Sequence, residues 1–280
     1  MRLLSRLNGL GVRWVVQNTG PVDAVFAGRV TEHDDRVPDT SDSRLVVAPT
    51  APGDGNRARG GGAMSGSPRR FDPRMALLET QCVKVSLSLL ARSTNPARSL
   101  GFTSAVPGEG KSFLSTLTAT ALARQSQRPV TLVDCNWEHP TLHQTFNIPS
   151  TPGLAEWLRH ECDLGDIRHV VAPGLVVIPA GDAAANDSVA LTSALKSVGA
   201  HTLLTHSEEA LIVDMAPVLT TSYGALLAQQ LDAILLVVRA GATWDSYVQE
   251  ASYELGASAV EGVVLNATQS RIPRWLQRIL

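Results

Sequence analysis

Three features of the sequence predict an α/β fold whose mostly parallel, doubly wound sheet is flanked by helices. Short runs rich in apolar residues, several of them apolar throughout, recur from residue 99 onward, stretches of helical periodicity separate them, and a glycine-rich turn follows the first run. All-apolar runs suit strands buried on both faces of a sheet, and strand–helix–strand alternation is how parallel strands are joined.

The elements follow in order. In "DPRMALLETQCVKVSLSLLARS", Asp72 suits an N-cap, Pro73 suits the first helical position, and apolar residues recur at helical spacing. Strands are predicted over 99–105, 129–134, 174–180, 209–214, 232–238 and 260–266, and helices over 111–126, 152–160, 188–198, 222–231 and 244–256. In such sheets ligands bind beyond the carboxyl ends of the strands.

Composition bounds the rest of the 280-residue chain. Hydrophobic residues make up 44% and the formal charge is −2, which suits a globular domain with a sizeable core. The first 70 residues lean basic and the remainder leans acidic, so no nucleic-acid partner is expected. Cys82, Cys135 and Cys162 show no paired spacing, which predicts a reducing compartment and small buried thiols. The start, "MRLLSRLNGLGVRWVV", is basic and apolar, but Arg6, Asn8 and Arg13 interrupt any leader core. No run reaches membrane-span length, and a cytoplasmic location is expected. Residues 1–30 stay unassigned, with "VRWVVQ" and "AVFAGRV" as strand candidates. Residues 31–70, rich in Gly, Pro, Ser, Asp and Arg, read as a disordered linker, 71–270 as the folded domain, and 271–280 as a basic, aromatic tail.

The turn after the first strand reads "SAVPGEGKSF", with Ala105, four residues, then Gly110, Lys111 and Ser112. This is a phosphate loop in which Ala replaces the first glycine, and it stands between strand and helix as that motif requires. Pro107 stiffens the loop, while Gly108 and Gly110 let the backbone turn its N–H groups inward. The positive end of the following helix dipole points at the same spot. Residues Pro107, Gly108, Glu109, Gly110, Lys111, Ser112 and Phe113 are therefore the expected nucleotide-binding stretch. Lys111 would reach the terminal phosphates of ATP and the Ser112 hydroxyl would ligate Mg²⁺. Asp134 and Asp214 each end an apolar strand, as the carboxylates of such a metal site should. His139 and His143 are four apart, but Pro140 lies between them and no third ligand is near, so they read as packing or surface residues.

The ordered set "TSAVPGEGKS", "VTLVDCNWEHPTLH", "LIVDMAPV", "LLVVRAG" and "GVVLN" resembles the kinase domain of the bacterial tyrosine kinases of capsule and exopolysaccharide assembly. These kinases lie within the MinD/ParA-like group of P-loop NTPase folds, and the likeness covers residues 71–270. The resemblance implies phosphoryl transfer from Mg-ATP to tyrosine. It assigns Lys111, Asp134 and Asp214 as catalytic, Ser112, Asp134 and Asp214 as metal ligands, and Asn266 as the reader of the adenine base. It also implies a membrane-anchored polysaccharide co-polymerase or adaptor as partner, and leaves a homo-oligomer open.

The chain departs from the family pattern in four places. Asn136 stands where Asp-x-Asp has its second acid, and Glu138 replaces an arginine. Glu79 is followed at the assembly-motif positions by Cys82 and Val85 instead of arginines. The tail "ATQSRIPRWLQRIL" has no tyrosine, and Tyr223, Tyr247 and Tyr253 fall in expected helices, where they read as packing residues. Two alternatives therefore stay open: a catalytically weakened pseudokinase that regulates its partner through bound nucleotide, and a MinD/ParA-like ATPase.

Overall fold

Apolar runs of six or seven residues cannot be half-solvated, and the chain buries each of them in a sheet. The computed structural model describes residues 14–19, 73–90, 98–126, 128–183, 187–206, 208–256 and 260–268. Its elements, in chain order, are β1 (Trp14–Thr19), α1 (Pro73–Leu90), β2 (Ser99–Ser104), α2 (Lys111–Gln125), β3 (Val130–Cys135), α3 (Leu142–Phe146), α4 (Leu154–Leu158), β4 (His169–Ala172), β5 (Leu175–Ile178), α5 (Ser188–Val198), β6 (Ala210–Met215), α6 (Gly224–Ala228), β7 (Ala233–Arg239), α7 (Asp245–Leu255) and β8 (Val260–Thr268). The readings of 31–70 as a linker and 271–280 as a tail lie outside the described residues.

The eight strands run in the order β1-β8-β7-β2-β6-β3-β5-β4. Neighbours are parallel throughout, except that β4 lies antiparallel to β5 at one edge. All six expected strands are present, and "VRWVVQ" supplies β1, paired with β8 at the other edge. β4 has no counterpart among the runs read from the sequence. It is four residues long and Val170 is 78% exposed, so neither length nor hydropathy marks it.

Side-chain alternation divides the core into two layers, one on each sheet face. Along β7, Ile234, Leu236 and Val238 pack with Val248, Ala251 and Leu255 of α7. Ala233, Leu235 and Val237 join Leu114, Leu117 and Leu122 of α2 on the opposite face. The valines, leucines and isoleucines among these, most of them 0–4% exposed, contribute about 1.5–3 kcal/mol each on burial. This double burial fixes the register and carries the ends of β2, β3, β6, β7 and β8 to one edge.

At the amino edge, a buried ion pair holds β6 to the segment before β4. Arg168 donates to Glu209 at 2.7 Å, and the Glu209 carboxylate also accepts the Thr131 hydroxyl and the Thr205 amide. Burial opposes ionisation of Glu209, but the Thr131 hydroxyl, the Arg168 guanidinium and the Thr205 amide outweigh it and hold the carboxyl at about 2. Among the described residues no helix is long and apolar enough to cross a membrane. Cys135 is buried as expected, whereas Cys82 and Cys162 are only partly so.

Candidate active site

β2 sits between β6 and β7, and its carboxyl end runs straight into the glycine turn and then α2. Gly108 (φ +82°) and Gly110 (φ +96°) both adopt left-handed backbone. At Gly110 space is also short, because a Cβ there would lie 2.1 Å from Asn266 Nδ2 and force that side chain to move, whereas one on Gly108 meets nothing within 4 Å. Neighbouring strand ends tie the loop down: the amides of Val218 and Leu219 donate to the carbonyls of Ser104 and Ala105 at 2.8 and 3.1 Å. Lys111 and Ser112 open α2, with Lys111 7% exposed. Phe113, by contrast, is half exposed.

Asp134 and Asp214 are paired in register on β3 and β6, and both are fully buried. Asp134 is saturated. Its Oδ1 accepts the amide of Asn136 at 3.1 Å, and its Oδ2 accepts those of Thr141 and Leu142 at 2.9 and 3.0 Å. Those last two donors are the orphan amides at the start of α3, a five-residue helix with no sequence signal that a distant carboxylate holds in place. Neither oxygen of Asp214 has a hydrogen-bond partner. The hydroxyls of Ser112 and Ser115 and the charge of Lys111 favour its ionised form without closing a bond to it. Burial, and then the charge of Asp134, push its pKa up to about 8. Burial also raises Asp134, against its three amides and Lys111.

A buried carboxylate without donors calls for a cation. Among the described residues no three His, Cys, Asp or Glu side chains cluster tightly enough to bind a metal alone, and His139 and His143 form no such site. A divalent ion beside Asp214 would therefore complete its shell with the Ser112 hydroxyl, water and oxygens of a phosphate ligand, which is the Mg²⁺ habit. The residues present fit Mg²⁺ with a polyphosphate.

The remaining expected residues are placed as follows. Asn266 lies near the end of β8, opposite Arg239 at the end of β7. Its Nδ2 donates to the Glu109 carbonyl at 2.8 Å and its Oδ1 accepts the Ala267 amide at 2.9 Å. The Glu109 carboxylate accepts the amides of Val106 and Arg239 and the Thr243 hydroxyl, so it reaches the nucleotide stretch only through its backbone. The sequence reading missed Arg239 and Thr243, whose partner lies more than a hundred residues away. Asn136 donates from Nδ2 to the His139 carbonyl at 2.9 Å, while its Oδ1 is buried without a donor. One expectation is corrected: only Tyr223 packs inside, against Trp137 with ring centroids 5.3 Å apart. Tyr247 and Tyr253 are 42% and 86% exposed, because they fall on the outer face of α7.

No protein-family model matches the chain. The tyrosine-protein kinase CpsD of Streptococcus agalactiae is 30% identical over 179 residues, which cover 62% of this chain and 75% of that protein. The tyrosine-protein kinase ptk of Acinetobacter johnsonii is 34% identical over 167 residues, covering 58% of this chain but only 22% of that longer protein. Among solved structures, the VpsO kinase domain superposes with a TM-score of 0.61 at 28% identity, over 69% of this chain and 96% of that domain. The kinase domain of the Escherichia coli tyrosine kinase ETK gives a TM-score of 0.60 at 24% identity, over 71% and 78%, a likeness of fold. The architecture and the glycine loop define a P-loop NTPase fold. The chain belongs to the bacterial tyrosine kinase family of capsule and exopolysaccharide assembly.

Proposed function

We propose that this chain binds Mg-ATP at the carboxyl edge of the sheet and transfers the γ-phosphoryl group to protein tyrosine hydroxyls. It would serve exopolysaccharide or capsule synthesis at the inner face of the membrane, recruited by a membrane-anchored co-polymerase or adaptor. One observation carries this reading: Asp214, buried and without a donor, lies beside Lys111 and Ser112 of the phosphate loop.

Each residue has a role that follows from its setting. The inward amides around Gly108 and Gly110 hold phosphate oxygens, and Lys111 neutralises charge that builds on the transferred group. The Ser112 hydroxyl and the Asp214 carboxylate would hold the metal. Asp134, bound to three amides, orients the start of α3 and adds negative charge behind Asp214. Bound Mg-ATP supplies the phosphoryl group. The tyrosine oxygen bonds to the γ-phosphorus as the bond to the bridging oxygen of ADP breaks, and the hydroxyl proton is released.

A specific observation favours a second reading, that of a slow kinase acting as a nucleotide-dependent regulator. Asn136 presents a neutral carboxamide where the resemblance places an acid, and a carboxamide accepts no proton at neutral pH. Calorimetric titration of Mg-ATP, with Lys111→Ala alongside, tests the shared part. Binding in the wild type that is lost in the variant is the expected result, and equal binding in both removes the site. Transfer of labelled phosphate to a tyrosine-bearing polypeptide then separates kinase from regulator.

A further inference from the structure

Glu109 lies between two loop glycines and is 2% exposed, an odd place for a carboxylate if the loop is to receive a polyphosphate. Its charge is turned elsewhere. Oε2 accepts the Val106 amide at 2.9 Å, while Oε1 accepts the Arg239 amide at 3.1 Å and the Thr243 hydroxyl. The Glu109 carbonyl accepts Asn266 Nδ2, and the Asn266 carbonyl accepts the Ala240 amide at 2.8 Å. The turn itself is closed, with the amides of Ala242 and Thr243 donating to the Arg239 carbonyl at 3.2 and 3.0 Å. One side chain thus joins the phosphate loop to a self-contained turn that belongs to the opposite side of β7.

The flanking glycines explain why such a tie is needed. Both hold positive φ, and a Gly-Glu-Gly segment without outside contacts would sample many backbone states in which its amides diverge. We propose that Glu109 is a positioning residue whose carboxylate latches the phosphate loop to the turn between β7 and α7, so that the loop amides are set before a nucleoside triphosphate arrives. The latch deepens the Mg-ATP reading and rests on it. Preorganisation of this kind raises affinity by removing an ordering cost from the binding step.

The test uses the full chain with Thr243→Val, Thr243→Ser and Glu109→Gln. Hydrogen exchange across residues 104–113 is followed without nucleotide, and Mg-ATP affinity is measured in parallel. Thr243→Val and Glu109→Gln are expected to speed loop exchange about tenfold and weaken Mg-ATP about tenfold. Thr243→Ser, which keeps the hydroxyl, should stay near wild type in both. Thr243→Val keeps the volume and removes only the hydroxyl, which also accepts the Arg239 amide at 3.2 Å within the turn. Glu109→Gln leaves that local bond in place, so a loop effect shared by both variants comes from the latch and not from the turn. Unchanged loop exchange in Thr243→Val, or serine behaving as valine does, overturns the latch. Loop exchange that responds to Thr243→Val in a wild-type background that binds no Mg-ATP would leave the latch standing and remove the nucleotide reading instead.

Discussion

Asp134 and Asp214 face each other in register on neighbouring strands, equally buried, yet one accepts three backbone amides and the other none. The two acids should therefore fail differently. Asp134→Ala strands three amides and is expected to cost about 2–4 kcal/mol of stability, read by urea denaturation. Asp214→Asn should cost under about 1 kcal/mol, because neither oxygen accepts a hydrogen bond and burial already favours the neutral carboxyl. It should nonetheless abolish Mg²⁺-dependent nucleotide binding, and large destabilisation with retained binding would reverse the assignment.

The same pair predicts an unusual pH dependence. Asp214 is raised from 3.8 to about 8 in the fold, and Asp134 shifts the same way. The folded state then holds protons that the unfolded chain has lost, so stability falls as pH rises from about 4 to about 8. The melting temperature of the nucleotide-free protein should drop by several degrees across that window. With Mg-ATP bound the carboxylate is ionised and paired, and the drop should shrink. Binding at pH 7 should also release protons, measurable by calorimetry in buffers of different ionisation enthalpy.

Glu209 works in the opposite sense at the other edge of the sheet. Its folded value of about 2 lies below the ordinary 4.5, so its contribution is fully present above pH 4.5 and is lost as pH falls toward 2. Arg168→Met leaves that carboxylate buried without its cation and is expected to cost about 3 kcal/mol. The loss should be largest near neutral pH and smallest near pH 2, while Mg-ATP affinity stays unchanged.

Glycine substitutions in the loop separate backbone strain from collision. Gly108→Ala meets nothing within 4 Å and incurs only positive φ, a cost of about 1 kcal/mol. Gly110→Ala adds a collision with Asn266 Nδ2, which must turn away and lose its bond to the Glu109 carbonyl, and should weaken Mg-ATP binding more than Gly108→Ala does. Asn266→Ala in the Gly110→Ala background relieves that collision and should restore part of the binding.

These contrasts show where the sequence was informative. The six expected strands are rich in apolar residues and several are almost wholly apolar, which is why they announce themselves. Asp134 and Asp214 sit near the ends of two of them, and Lys111 and Ser112 open the helix that follows the first. β4 and α3 were not legible. The first is a four-residue edge strand with a solvated face, and the second depends on a carboxylate that precedes it by eight residues. The Glu109 latch was equally hidden, because local spacing carries no trace of a partner at Thr243. Nor could periodicity distinguish buried Tyr223 from exposed Tyr253, since both fall in segments of helical pattern.

Asn136 offers the sharpest test of whether this member of the family is slow by construction. Its Oδ1 is buried without a donor, its Nδ2 is held by the His139 carbonyl, and it follows Asp134 by two residues in the same strand-end turn. Asn136→Asp changes almost no volume but adds a third acid beside two whose pKa values are already raised. The variant should therefore melt several degrees below wild type without ligand, and most of that loss should return with Mg-ATP. If the carboxamide is what limits transfer, the new carboxylate can accept the tyrosine proton, a role worth about a hundredfold or more in rate. Labelled-phosphate transfer to a tyrosine-bearing polypeptide should then rise at least tenfold at saturating Mg-ATP, with little change in nucleotide affinity. Transfer that stays flat while Mg-ATP still restores the melting temperature would place the limiting step elsewhere, and the regulator reading would lose the residue it stands on.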